Sequence, residues 1–328
     1  MQQITSSNTV ISDLDIAILV PCHNEEAAVS LVVKSFREQL PNAVIYVYDN
    51  NSTDKTAEVA ANSGAIVRGE SQQGKGHVVR RMFSDIDAEI YVLVDGDDTY
   101  DSSSVHAMIE ALLEQRCDMV NGRRVSDKPA AYRFGHQFGN RLLGGMVNWI
   151  FGRRCLDILS GYRVFSRRFV KSFPALSTGF EIETELTVHA LSLNIPMTEI
   201  DTPYKDRPAG SESKLNTYRD GFRILWTIFI LTKEERPFFF YSIAFGLLAG
   251  LSLALGLPVA LEFFETGLVP RFPTAILSAS IMVLAFLCLT TGLILDSVAR
   301  GRRELKRLHY LSLTWLGHGR RKTDSKHQ

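Results

Sequence analysis

The stretch Asp95-Gly96-Asp97-Asp98-Thr99-Tyr100-Asp101 follows directly on the apolar run Ile90-Tyr91-Val92-Leu93-Val94. A buried parallel strand ending in an acidic loop brings carboxylates to the strand's carboxyl end, where open α/β sheets bind ligands. Asp95 and Asp97 flank Gly96, so both carboxylates can turn toward one hard cation while the backbone bends closely around it. Oxygen ligands of this kind suit Mg²⁺ or Mn²⁺, and the cation would in turn hold a diphosphate. The alternative is an acidic turn whose Asp or Ser side chains cap a helix beginning near Ser103. The motif alone is compatible with both.

The elements that would position these carboxylates can be read from the preceding residues. Residues 15–21, 44–48, 65–68 and 90–94 read as short strands, and 24–39 and the stretch after Asp54 through Ala61 as helices. Strands alternating with amphipathic helices predict a parallel sheet covered on both faces, with the polar loops at the strand ends sharing one crevice. Pro21-Cys22-His23-Asn24-Glu25 offers a rigid turn, polar groups and a carboxylate suited to a base and a ribose, or an N-cap at Asn24. The loop from Asp49 to Asp54 could bind a base through Asp49 or Asn50, while Ser52 or Asp54 could equally cap. Gly69-Glu70-Ser71-Gln72-Gln73-Gly74-Lys75-Gly76 falls short of an ATP-binding P-loop, because Gly76 stands where a hydroxyl is needed to ligand Mg²⁺. An ATPase is thereby disfavoured, and Lys75 is left either to meet a diphosphate or to close a basic turn.

Taken together, Pro21-x-x-Asn24-Glu25, Asp49 to Asp54, Gly74-Lys75-Gly76 and Asp95-x-Asp97 resemble family-2 glycosyltransferases, whose nucleotide-sugar domain is an α/β GT-A (Rossmann-like) fold with a DXD motif. Gly122-Arg123-Arg124, Asp157-x-x-Ser160-Gly161-Tyr162-Arg163 and Arg207-x-x-Gly210-x-x-Ser213-Lys214 look like the polyprenyl-phosphate branch, which includes dolichyl-phosphate mannose synthases. By that resemblance Pro21, His23, Glu25, Tyr48 and Asn50 would contact the nucleoside, with Lys75, Asp95 and Gly96 on the donor and Asp97, with Asp95, on the metal. Asp98 is a further carboxylate that would substitute as a ligand or cap the helix. His23 and Asn50 depart from the family's more familiar Tyr or Phe and Asp. Arg124 and Arg133 would lie toward the lipid phosphate, and Arg207 and Lys214 in a loop closing over donor and metal.

The chemistry explains the need for these residue types. Breaking the bond between an anomeric carbon and a nucleoside diphosphate builds negative charge on the leaving group, which a cation held by Asp97 would stabilise. A lipid phosphate, with a second pKa of about 6, is largely a ready anion near neutral pH and needs no dedicated base. It needs arginine forks to position it. Glu181, Glu183 and Glu185 therefore read first as helix-face or sugar-orienting carboxylates, and only second as a base.

Residues 238–261 and 272–295 each run for 24 positions without Asp, Glu, Lys or Arg. Roughly 20 such residues cross a bilayer core, so two transmembrane helices are expected. From Ser297 to Gln328 nine Lys or Arg face only Glu304 and Asp324, which places the tail, and hence the N-terminal domain, on the cytoplasmic side. The formal net charge of zero conceals this arrangement. Residues 1–14 carry no signal-peptide pattern, and the four cysteines, Cys22, Cys117, Cys155 and Cys288, show no metal-ligand spacing and are expected free. Tyr218, Phe222, Trp226 and Phe229 with Arg219 and Arg223 read as an interfacial helix at the membrane surface.

The expected organisation is thus a flexible start (1–14), a catalytic domain (15–214), an amphipathic juxtamembrane segment (215–236), two membrane helices (237–296) and a basic tail (297–328). The expected activity is inverting, metal-dependent transfer of one sugar from a nucleotide-sugar, a UDP-sugar such as UDP-glucose in preference to GDP-mannose, to polyprenyl phosphate on the cytoplasmic leaflet, the inner membrane in a bacterium. Nothing points to nucleic acid, and a homo-oligomer is compatible with the arrangement. A processive polysaccharide synthase would carry a Gln-x-x-Arg-Trp motif and more membrane helices, which are not found here. A catalytically silent nucleotide-binding module would have no need to retain Asp95, Asp97, Arg207 and Lys214 together.

Overall fold

Strands β1 (Ile16–Cys22) and β4 (Ile90–Leu93) are almost wholly buried, as continuous runs of Ile, Val, Leu and Tyr require when helices cover both faces of a sheet. They form the centre of a seven-stranded sheet in a computed structural model that describes residues 11–125, 145, 147, 149, 156–177, 179, 181–205, 226, 229, 230 and 232–316. With β2 (Val44–Asp49), β3 (Ile66–Gly69), β5 (Met119–Val125), β6 (Arg163–Ser166) and β7 (Met197–Pro203), the strand order is β3-β2-β1-β4-β6-β5-β7. Ile18 stands opposite Ile45 on one side and Val92 on the other.

The sheet is mixed, where the alternation of strands and helices predicted a parallel one. β6 runs antiparallel to both β4 and β5, while the other neighbours are parallel. A parallel strand needs a crossover that carries the chain back to the sheet's opposite end. β6 instead starts at the end where β5 finishes, so its direction is reversed.

Alternation along the strands divides the core into two layers. Ile18, Val20, Ile45, Val47 and Val92 pack against α1 (Val29–Gln39) and α4 (Val105–Glu114), through Val29, Val33, Phe36, Met108 and Leu112. Ala17, Leu19, Tyr48, Tyr91 and Leu93 pack on the other face beneath α3 (Lys75–Asp85) and α6 (Ile182–Ser192), with α2 (Thr56–Asn62) and α5 (Arg167–Ser172) completing the layers. α1 starts later than Asn24, because Asn24 adopts a left-handed φ of 52° and the chain turns once more before Val29. Residues 1–224 and 306–328 form one compact unit.

Residues 225–305 form the other. It contains α7 (Pro237–Thr266), of 30 residues, and most of α8 (Phe272–Ser312), of 41, both long and apolar enough to cross a membrane. They extend past the expected 238–261 and 272–295. Pro237 sits where a missing N–H is harmless, and Gly267 ends α7 in a left-handed cap at φ 70°. The helices approach through small residues: Ser252 Oγ donates to Ser278 O at 2.7 Å, and Gly256 faces Ser278. Leu247, Leu253, Phe264, Phe286 and Ile294 are more than half exposed. Apolar surface on this scale suggests membrane association. Of the interfacial segment, Trp226 and Phe229 stack at 5.4 Å, and Tyr218, Arg219, Phe222 and Arg223 lie outside the described residues. Cys22, Cys117 and Cys288 form no disulfide, and Cys155 also lies outside the described residues.

Candidate active site

The carboxyl ends of β1, β2, β4, β5 and β7 lie at one rim of the sheet, and the turn entering β6 joins them there because that strand is reversed. Gly96 lets two of these loops meet: a Cβ on it would come to 2.5 Å from Cys22 Sγ. Asp97, 5 % exposed, accepts from Thr99 Oγ1 at 2.6 Å through its Oδ1. Asp98 takes a left-handed φ of 54°, and burial raises its carboxyl, with Lys205 opposing the shift. Tyr100 turns inward, and its hydroxyl accepts from Gly161 N at 2.8 Å.

Asp95 is joined by an ion pair to Lys75, whose ammonium also meets Glu183 Oε1 at 2.5 Å. Burial by itself would depress the lysine, but the two carboxylates outweigh it and hold Lys75 above its ordinary value. Burial pushes Glu183 up while Lys75 opposes that shift, and Glu183 Oε2 is buried with no hydrogen-bond partner. The triad links the first turn of α3, the end of β4 and the first turn of α6. Glu185 instead accepts from the backbone N–H groups of Leu176 and Ser177, at 2.9 and 2.8 Å.

Asp157 receives Arg124 through two parallel bonds of 2.8 Å and also accepts from Arg124 N at 3.2 Å. The guanidinium lies 5.6 Å from the centre of the Tyr204 ring. Arg163, fully buried, donates to Ser160 O at 3.0 Å, Ile158 O at 2.7 Å and Thr187 Oγ1 at 2.9 Å, fixing the turn that carries Asp157.

Near the nucleoside loops, His23 Nδ1 meets Asn50 O at 2.8 Å, and Glu25 N donates to Thr56 Oγ1 at 2.8 Å. Asn50 Nδ2 donates to Glu70 O and Gln72 O at 2.9 and 2.8 Å, while its Oδ1 accepts from Gly74 N at 2.7 Å. The residue thus staples the loop that delivers Lys75. Pro21 and Glu25 lie at the end of β1. Tyr48, expected beside the nucleoside, has its side chain fully buried under α3, its hydroxyl donating to Asp85 at 3.1 Å, on the face of β2 that also carries Tyr46. Arg133, Arg207 and Lys214 lie outside the described residues.

The rim therefore gathers Pro21, His23, Glu25, Asn50, Lys75, Asp95, Gly96, Asp97 and Arg124, and leaves Tyr48 in the core. Sequence reasoning did not anticipate Thr99, Tyr100, Asp157 or Tyr204 as the partners that orient these groups, nor Glu183 as the counter-ion of Lys75. Asp157 could have been found from its place in the motif ending at Arg163. Among the described residues no three His, Cys, Asp or Glu converge into a complete metal cage. Asp95 and Asp97 are hard-oxygen donors two positions apart on one loop, a residue type that would suit Mg²⁺ or Mn²⁺ held jointly with substrate phosphates, since Mg²⁺ is usually held by one or two carboxylates plus phosphate.

A family model described as Glycosyl transferase family 2 matches residues 17–173. Glycosyltransferase AglJ of Haloferax volcanii is 32 % identical over 299 residues, covering 90 % of this chain and 98 % of that protein. A dolichyl-phosphate hexose transferase of the same organism is 25 % identical over 223 residues, 68 % of this chain and 96 % of that one. The crystal structure of glucosyl-3-phosphoglycerate synthase from Mycobacterium tuberculosis superimposes with a TM-score of 0.56 at 21 % identity, over 69 % of this chain and 84 % of that one. The same enzyme in complex with Mn²⁺, UDP and phosphoglyceric acid gives 0.53 at 20 % identity, over 69 % and 82 %. These structures share the GT-A fold.

Proposed function

Because the chain belongs to glycosyl transferase family 2, we propose that it transfers one sugar from a nucleotide-sugar, a UDP-sugar such as UDP-glucose, to a polyprenyl phosphate, with inversion at the anomeric carbon. The observation that carries this reading is a rim holding Asp95 and Asp97 together with an arginine gripped by Asp157, in a chain that also contains two apolar helices long enough to cross a membrane. The dolichyl-phosphate hexose transferase relative supports a lipid-phosphate acceptor. The fold neighbour solved with Mn²⁺ and UDP is a precedent for the cation and the base.

Asp97, with Asp95, would hold Mg²⁺ or Mn²⁺, and the ion when bound would supply Lewis-acid stabilisation of the departing diphosphate. Thr99 fixes the Asp97 carboxylate, and Lys75 fixes Asp95, so neither has to reorganise when charge develops. Arg124, oriented by Asp157, offers a planar fork to the acceptor phosphate without taking a proton from it. Arg133 joins it on the acceptor side, while Arg207 and Lys214 act on the donor diphosphate. His23, Glu25 and Asn50 build the nucleoside side. The phosphate oxygen attacks from the face opposite the leaving group, which inverts the anomeric centre. An apolar anchor keeps the enzyme on the surface its acceptor cannot leave, with the catalytic domain and both termini on the cytoplasmic face.

The test is a panel of UDP- and GDP-sugars offered to the purified full chain with undecaprenyl or dolichyl phosphate, scored by radiolabelled lipid. One donor is expected to label the lipid phosphate. Labelling only of a soluble alcohol, or growth of a polymer, would overturn the reading.

A further inference from the structure

The chain returns to the glycosyltransferase unit after its apolar helices, and the end of α8 with the four residues beyond it is built into that unit. Tyr310 is 3 % exposed, and its hydroxyl donates to Asp118 Oδ2 at 2.6 Å. Asp118 is itself fully buried at the start of β5, where it also accepts from Ser166 Oγ at 2.6 Å and from Arg168 at 3.1 and 2.8 Å. The Arg168 guanidinium lies 4.4 Å above the Tyr310 ring. Next, Trp315 Nε1 donates to Cys117 O at 3.0 Å, and Trp315 O accepts from Arg168 N at 3.3 Å. Arg307 donates to Leu193 O, and Trp315 and Leu316 pack against the larger core cluster.

This is a high density of specific contacts for a segment that composition alone describes as a basic tail. A carboxylate buried to this degree is costly unless its oxygens are matched by donors, and Tyr310 supplies one of them. The indole and phenol rings each add an apolar body to a polar tip held by a partner. The contacts join backbone, ring and charge at the start of β5, on α5 and at the end of α6, so the segment is held in register and not merely laid on a surface.

We propose that residues 307–316 are a second, noncovalent fastening of the glycosyltransferase unit to the end of α8, independent of the covalent connection that runs into α7. The unit is then held to its apolar helices from both directions along the chain, and severing the covalent connection does not release it. This inference stands on the packing of the tail and not on the identity of the donor or acceptor.

The experiment uses the full chain with a protease recognition sequence inserted between Lys233 and Glu234 and an affinity tag after Gln328. After complete cleavage in detergent, the N-terminal fragment is expected to elute with the tagged helices, and Tyr310→Ala with Trp315→Ala to release it. Separation of the fragments with the native tail, or continued co-elution in the double variant, would overturn the proposal. If the double variant fails to fold, Tyr310→Phe with Trp315→Phe keeps an aromatic ring at both places while removing the two side-chain hydrogen bonds. It is then expected to separate at a lower urea concentration than the native tail, and an unchanged concentration would count against the fastening.

Discussion

Gly161 lies so close to Asp95 that a Cβ added to it would overlap the carboxylate. The turn before β6 and the acidic loop after β4 therefore fit together only because one of them has no side chain. Its amide is also the donor that Tyr100 accepts, so the glycine is held as well as required.

Gly161→Ala is accordingly expected to push Asp95 away from Lys75. A displacement on the order of 1 Å at a reacting centre costs about 100-fold in rate. The measurement is kcat for lipid-linked product, alongside a thermal melt. A variant that folds and keeps full kcat would show that Asp95 has no fixed place in the mechanism.

Asp97→Ala removes the carboxylate that Thr99 orients, and loss on the order of 100-fold to 1000-fold in turnover is expected, as for other groups that stabilise developing charge. Excess chelator should reproduce the loss in the native chain, and added Mg²⁺ or Mn²⁺ should reverse it. Undiminished transfer in chelator would remove the cation from the reaction.

Asn50→Asp restores the residue type more familiar in the family, yet it should harm this chain. The amide donates to two carbonyls, Glu70 O and Gln72 O, and a carboxylate there would face them with no hydrogen to offer. Two lost hydrogen bonds and a repulsion cost about 1–3 kcal/mol. A lower melting temperature and a raised KM for the donor are expected, with kcat at saturation less affected. A donor KM equal to that of the native chain would mean the 70–74 loop does not need this staple.

His189 is 4 % exposed, stands edge-on to Phe169 and Phe173, and is held by burial at a pKa of about 3. Its unfolded value is about 6.5, so between those limits the unfolded chain binds the extra proton. The sign follows: stability is complete above about pH 6.5 and is lost as the pH falls toward 3, by on the order of 3–5 kcal/mol if this group acted alone. His189→Leu should flatten the acid side of a melting-temperature profile measured between pH 7 and 4. A profile of unchanged steepness would assign the acid sensitivity to other groups.

Much of the first half of the fold was legible because each strand is a short run of β-branched and aromatic residues closed by polar loop residues, and because those loops carry the motifs. Asp95, Asp97 and Lys75 were singled out for that reason. The reversal of β6 was not legible, since Arg163 to Ser166 looks the same read in either direction and only the position of its neighbours fixes its sense. The burial of Tyr48 was not legible because it stands directly before the loop, where position in sequence does not say which face of the strand carries the ring. Glu183 reads in sequence as one of three similar carboxylates, and nothing local distinguishes the one that meets Lys75 from the one that caps the turn at Leu176. The role of Tyr310 was hidden by the lysines and arginines around it, which describe the tail's charge and not its packing.

The reversed strand has an evolutionary consequence. Since β5 finishes and β6 begins at the same end of the sheet, any excursion between them is attached at both ends on the rim that carries Asp95 and Arg124. Such an excursion can lengthen, shorten or change its chemistry without re-registering β1 to β4. On the function proposed above, change on the acceptor side is thereby separable from the strands whose loops carry His23, Asn50 and Lys75.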